Sequence, residues 1–150
     1  MLDKYLNKVI KNTGLIVSYF CSEAKLYKWL QENYSNIERQ VKFNWCKKKV
    51  FDFKLNNIII ELDGAQHFIQ VSNWQSSKET QENDMYKMKK AIENGFSVIR
   101  LLQDDVYNDK NDWNILLKEH IEKIMNKEII YICNDKSYDS YKIISNKIKK

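Results

Sequence analysis

Near the N-terminus, apolar positions recur at helical spacing. Asp3 to Lys11 carries such a rhythm, closed by Asn12-Thr13-Gly14, and Ser22 offers an N-cap for a second helix from Glu23 to about Glu32. Leu26, Trp29 and Leu30 share one face of that helix. From Ile37 the pattern changes to alternation: Arg39, Val41, Phe43 and Trp45 against Gln40, Lys42 and Asn44. Cys46 to Lys49 reads as a basic turn. Alternation then resumes, with Phe51, Phe53 and Leu55 on one face and Val50, Asp52 and Lys54 on the other. Asn56-Asn57 signals a second turn. The run Ile58, Ile59, Ile60 and Leu62 predicts a strand buried on both faces, interrupted by Glu61 and ended by Asp63-Gly64.

A polar loop is expected from Ala65 to about Thr80, followed by an amphipathic helix with Met85, Met88, Ala91 and Ile92 on its apolar side. Gly95 fits the left-handed position that closes such a helix. Phe96 to Leu102 predicts another strand. Asn111 or Asp112 caps a helix containing Trp113, Leu116, Leu117, Ile121 and Ile124, and Ile129 to Cys133 reads as a last short strand. The order is αβββαβ with an αβ addition, which predicts an α/β fold with a central mixed sheet flanked by helices.

The 150 residues fit one domain, 1–150, ending in a basic tail from about residue 134. No apolar run approaches the roughly 20 residues that cross a bilayer, and Met1 to Lys11 mixes charged and apolar residues, so a soluble, intracellular protein without a membrane partner is expected. Cys21, Cys46 and Cys133 are odd in number and widely spaced, which argues against a disulfide framework or a structural zinc site. The formal charge is +5. It gathers at Lys47, Lys48 and Lys49 and in the tail at Lys142, Lys147, Lys149 and Lys150, where it serves either solubility or contact with phosphates. Arg39 and Arg100 are the only arginines in a chain rich in Lys, Asn and Ile, a composition that AT-rich coding also produces.

Three acids interrupt segments otherwise built for burial. Asp52 lies opposite the apolar face of its strand, and Glu61 and Asp63 share one side of the next. Carboxylates are rarely buried unless paired or bound to a cation, so their convergence points to a divalent ion with oxygen ligands, Mg²⁺ or Mn²⁺. Acids facing water at strand ends give the same pattern.

The segment from Asp52-Phe53 through Ile58-Ile59-Ile60-Glu61-Leu62-Asp63-Gly64-Ala65-Gln66-His67-Phe68 resembles the signature of the very-short-patch-repair endonuclease-like branch of the PD-(D/E)xK nucleases. Ser22-Glu23-Ala24 resembles that branch's acidic first helix, and Arg39-Gln40 the pair before its hairpin. Asp84, Lys87, Gly95, Val98-Ile99-Arg100-Leu101 and Asp105-Val106 resemble its downstream pattern, so the likeness spans roughly Ser22 to Ile124. It implies a restriction-endonuclease-like core and a metal-dependent endonuclease that cuts DNA, leaving a 5′-phosphate and a 3′-hydroxyl. Asp52, Glu61 and the Leu62 carbonyl become the implied metal ligands. Glu23, Asp63 and His67 join Asp52 and Glu61 as implied catalytic residues, while Lys47, Lys48, Lys49, Gln66, Lys87 and Arg100 are implied to bind nucleic acid.

The superfamily's lysine after Glu-x is replaced here by Asp63, with His67 and Gln66 as substitutes, and Lys87 stands where Arg is frequent in that branch. His67 follows Asp63 by four residues, beside Gly64, a placement that suits a proton carrier. The Glu-x-Asp-Gly-x-x-His-Phe segment also resembles the RAP domains of RNA-processing factors. An RNA-directed protein, a non-catalytic nucleic-acid-binding module and a structural protein without a ligand therefore stay open as alternatives.

Overall fold

The computed structural model describes residues 21–64 and 77–148. The helix expected over Asp3–Lys11 lies outside them, as does the segment with Gln66 and His67. The first described helix, α1, covers residues 21–33 and turns Leu26 and Leu30 fully inward. Ser22 lies inside this helix instead of capping it, and its hydroxyl donates to the Gln103 carbonyl at 3.5 Å.

Three antiparallel strands follow: β1 (Ile37–Lys42), β2 (Val50–Leu55) and β3 (Ile58–Asp63). The β2–β3 turn places Asn56 at φ 53°, a left-handed conformation that asparagine tolerates. Helix α2 (Ser77–Glu93) crosses over to β4 (Ser97–Leu102), which pairs parallel to β3. Gly95 ends α2 at φ +87°. A five-residue helix α3 (Gln103–Tyr107) continues directly from β4, then come α4 (Trp113–Lys123), β5 (Ile129–Ile132), parallel to β4, and α5 (Asp139–Ile148). The five strands form one mixed sheet in the order β1-β2-β3-β4-β5. All six residues of the central β3 are buried, which explains an apolar run broken only by Glu61 before it ends at Asp63.

Two cores sandwich the sheet. Leu26 and Leu30 of α1 and Trp113, Leu117 and Ile121 of α4 cover Leu55, Ile60, Ile99 and Leu101 on one face. Met88, Ala91 and Ile92 of α2, with Tyr138 and Tyr141, cover Ile59 and Val98 on the other. Phe53 and Leu55 belong to the first core and Phe51 to the second, so the alternation expected along β2 breaks at Asp52.

Two further expectations are corrected. Strand β1 stops at Lys42 instead of continuing to Trp45, because Phe43 stacks on Trp45 at 4.4 Å and tilts against Phe96 at 5.1 Å. Burying these rings folds the β1–β2 connection over the α2 face and seals Cys46 completely. The basic tail expected from about residue 134 is α5 in its greater part. Tyr141 and Ser145 share one face of α5 and are buried, as is Tyr138 just before it, while Lys142 and Lys147 are exposed.

Tyr141→Ala therefore removes a fully buried ring. It is expected to cost about 3–5 kcal/mol in denaturant unfolding, whereas a solvated tail would give no measurable change.

Candidate functional site

Strands β2 and β3 pair from Phe53↔Ile60 to Leu55↔Ile58 and then part. Where the ladder stops, side chains replace it. The Leu62 N–H donates to Asp52 Oδ2 at 2.8 Å, and the Asp52 N–H lies 3.4 Å from Glu61 Oε2. Each carboxyl thus accepts from the main chain of the opposite strand. The two side chains lie close enough for the ionisation of one to act on the other.

Burial, then the negative charge of Glu61, push the Asp52 carboxyl well above the usual carboxylate range. Burial opposes ionisation of Glu61 too, but the Lys87 ammonium and the Arg100 guanidinium outweigh it and hold this carboxyl below its usual value. Of the two, Glu61 is therefore the more readily ionised. Lys87 reaches in from α2: its Nζ lies 2.6 Å from Glu61 Oε1, donates to the Val50 carbonyl at 2.7 Å and sits 4.7 Å from the centre of the Phe51 ring. Burial would discharge the amine, yet Glu61 keeps its pKa raised.

Asp63 faces a second group. Arg100 grips it bidentately, Nε to Oδ2 at 2.8 Å and Nη2 to Oδ1 at 2.7 Å, and Nη2 also meets Asp84 Oδ1 at 3.0 Å. Tyr138 donates to Asp63 Oδ2 at 2.8 Å and Tyr141 to Asp84 Oδ2 at 2.6 Å. Both phenols are held protonated by burial and the neighbouring carboxylates.

These contacts revise three of the expected roles. Asp63, 2 % exposed, is engaged by Arg100 on both oxygens and by Tyr138 on Oδ2. Arg100 is 1 % exposed, and its guanidinium is spent on Asp63 and Asp84. Lys87 is likewise buried, in an ion pair with Glu61, instead of lying on a binding surface. Lys47 and Lys48 are exposed, and Lys49 is half-buried. The signal that sequence reasoning missed is on α2: Thr80, Asp84 and Lys87 fall on the same helical stripe as Met88 and Ala91, and polar residues at core-facing positions mark a polar site beneath them.

Glu23 is buried at the start of α1. Arg39 Nη2 and Gln40 Nε2 both donate to its Oε1, at 3.1 and 2.6 Å. Consecutive strand residues normally point to opposite faces. Gln40 reaches the same oxygen because its φ is +52°, a conformation costing on the order of 1 kcal/mol or more. Arg39↔Phe53 and Val41↔Phe51 bracket Gln40 opposite Asp52, so the Glu23 cluster lies one strand from the carboxyl pair.

No family model, curated protein or solved structure matches this chain. The chemistry is therefore read from the site itself.

Among the described residues, Asp52, Glu61, Asp63 and Asp84 are answered by two cations, Lys87 and Arg100. Glu61 Oε1 touches Lys87 off hydrogen-bond geometry and is otherwise unsatisfied. A negative surplus with an orphaned carboxylate oxygen fits a hard cation. No group of three or more His, Cys, Asp or Glu side chains arranged for a metal occurs among the described residues. Two carboxyl groups suit Mg²⁺, which keeps several waters and takes one or two carboxylates.

Asp52 holds its proton to higher pH folded than unfolded. Its stabilising contribution is thus complete at acid pH and is lost as pH rises from the ordinary carboxylate range through its folded value. In EDTA, Asp52→Asn is expected to raise Tm at neutral pH, by a margin that shrinks on acidification. Glu61→Ala is expected to lose about 3 kcal/mol or more, because it strands the buried Lys87 ammonium. Matching pH profiles for wild type and Asp52→Asn would contradict the first expectation, and a stabilised Glu61→Ala the second.

Proposed function

We propose that this protein is a metal-dependent endonuclease that hydrolyses phosphodiester bonds in DNA. The observation that carries this reading is the carboxyl pair Asp52–Glu61 with Lys87 against it, built where β2 leaves β3. The site lies at the carboxyl end of the parallel strands β3 and β4, where open α/β sheets bind their ligands. The resemblance of Asp52-Phe53 and Glu61-Leu62-Asp63-Gly64 to the PD-(D/E)xK signature supports the same chemistry.

Asp52 and Glu61, with the Leu62 carbonyl beside them, would hold Mg²⁺ or Mn²⁺, which supplies Lewis-acid polarisation of the scissile phosphate. Lys87 stays an ammonium, so it is a donor and not a base. It orients an attacking water or stabilises charge developing on phosphate oxygens. Asp63, Arg100 and Asp84 act behind it, by keeping Glu61 ionised and in place. His67, whose position falls outside the described residues, is the proton carrier of this proposal. The exposed Lys47 and Lys48 supply charge for the DNA backbone.

The reading is tested by incubating the protein with supercoiled plasmid, single-stranded DNA and RNA, in Mg²⁺, Mn²⁺ or EDTA. Cleavage of DNA is expected with either ion and none in EDTA. Asp52→Asn and Lys87→Gln should each lower the rate by about a hundredfold or more while unfolding cooperatively. Undiminished cleavage in both variants would remove the site, and preferential cleavage of RNA would move the activity to RNA.

A further inference from the structure

The lysines of the β1–β2 connection and those of α2 converge on one aromatic ring. Lys47 Nζ lies 5.4 Å from the Tyr86 ring centre, and Lys90 Nζ lies 5.8 Å from it. Tyr86 is thus approached by two ammonium groups. Lys87, Lys49 and Lys90 also lie near enough to the buried Cys46 thiol for their charges to act on it. Lys87 belongs to Glu61, and Lys90 has only Glu93 at 3.6 Å. Among the described residues no ion pair answers Lys47 or Lys49.

Like charges gathered in this way repel, and a second cost is added at Lys47. Its backbone has φ 52° and ψ −128°, a region that glycine adopts freely and that an L side chain occupies only under strain. A turn that only joined two strands would be more stable with glycine there. Lysine at this position has its ammonium over Tyr86, and the neighbouring helix residue, Lys87, reaches Glu61 and the Val50 carbonyl. The patch is therefore continuous with the carboxyl pair.

We propose that Lys47, Tyr86 and Lys90, with Lys49 beside them, form the track along which the DNA phosphate backbone runs into the site at Lys87 and Glu61. This rests on the nuclease reading. The Tyr86 ring restrains the two ammonium groups before DNA arrives, which reduces the side-chain entropy lost on binding. Contacts of this kind take any sequence, so the track positions the substrate without selecting it.

The test is a titration of a labelled DNA duplex into wild type, Lys47→Gly and the double variant Lys47→Gln/Lys90→Gln. It is run at several salt concentrations with Ca²⁺ in place of Mg²⁺, alongside thermal unfolding. Lys47→Gly is expected to melt higher than wild type yet bind DNA more weakly. Its salt slope should be shallower by about one, and that of the double variant by about two. Lys118→Gln, exposed on α4 across the sheet, should bind as wild type does. If wild type cuts DNA and the lysine variants keep its affinity and slope, the track is overturned and the nuclease stands. If wild type neither binds nor cuts DNA, both are overturned.

Discussion

A carboxylate is stable away from water only when something answers its charge, and that constraint shapes the whole α2 face of this sheet. The chain puts Asp52, Glu61, Asp63 and Asp84 into one layer between the sheet and two helices. Arg100 from β4 answers Asp63 and Asp84, Lys87 from α2 answers Glu61, and two phenols from the C-terminal segment donate to one oxygen each of Asp63 and Asp84. Every element on that face contributes a partner. The final helix is consequently part of the site's foundation, because Tyr138 and Tyr141 complete the shell around Arg100.

What the compensation leaves over is Asp52. It stands where the β2–β3 ladder ends, takes its hydrogen bond from the Leu62 N–H and is kept from ionising by burial and the charge of Glu61. A side chain has replaced a main-chain acceptor, the strands have separated, and the freed space is lined by two carboxyl groups and an ammonium. The cost of holding Gln40 at positive φ next to Asp52 is consistent with a corner shaped for chemistry rather than for maximal stability.

The sheet was legible because its hydrophobic pattern has few readings: a run such as Ile58 to Leu62, apolar apart from Glu61, must be central, and Asn56-Asn57 and Gly95 punctuate the pattern. Asp52 and Glu61 were legible for the converse reason, as charges inside segments otherwise built for burial. Their partners were not. Lys87 and Arg100 look like surface cations in a chain this rich in lysine, and only the three-dimensional register shows that they face acids. Tyr141 and Ser145 share one face of α5, with Tyr138 just before it, but the lysines around them mask the pattern. The fold-back at Phe43 and Trp45 depends on Phe96, a residue distant in sequence, so alternation alone extends β1 too far.

The central claim is that Asp52 and Glu61 form a cation site held open by Lys87 and Arg100. Calorimetric titration of Mn²⁺ into the apo protein at neutral pH tests it most directly. The account predicts that wild type binds Mn²⁺ saturably and releases protons, since Asp52 must give up its own, and that Asp52→Asn abolishes the binding while remaining folded. Equal Mn²⁺ binding by wild type and Asp52→Asn, or none by wild type, would contradict it.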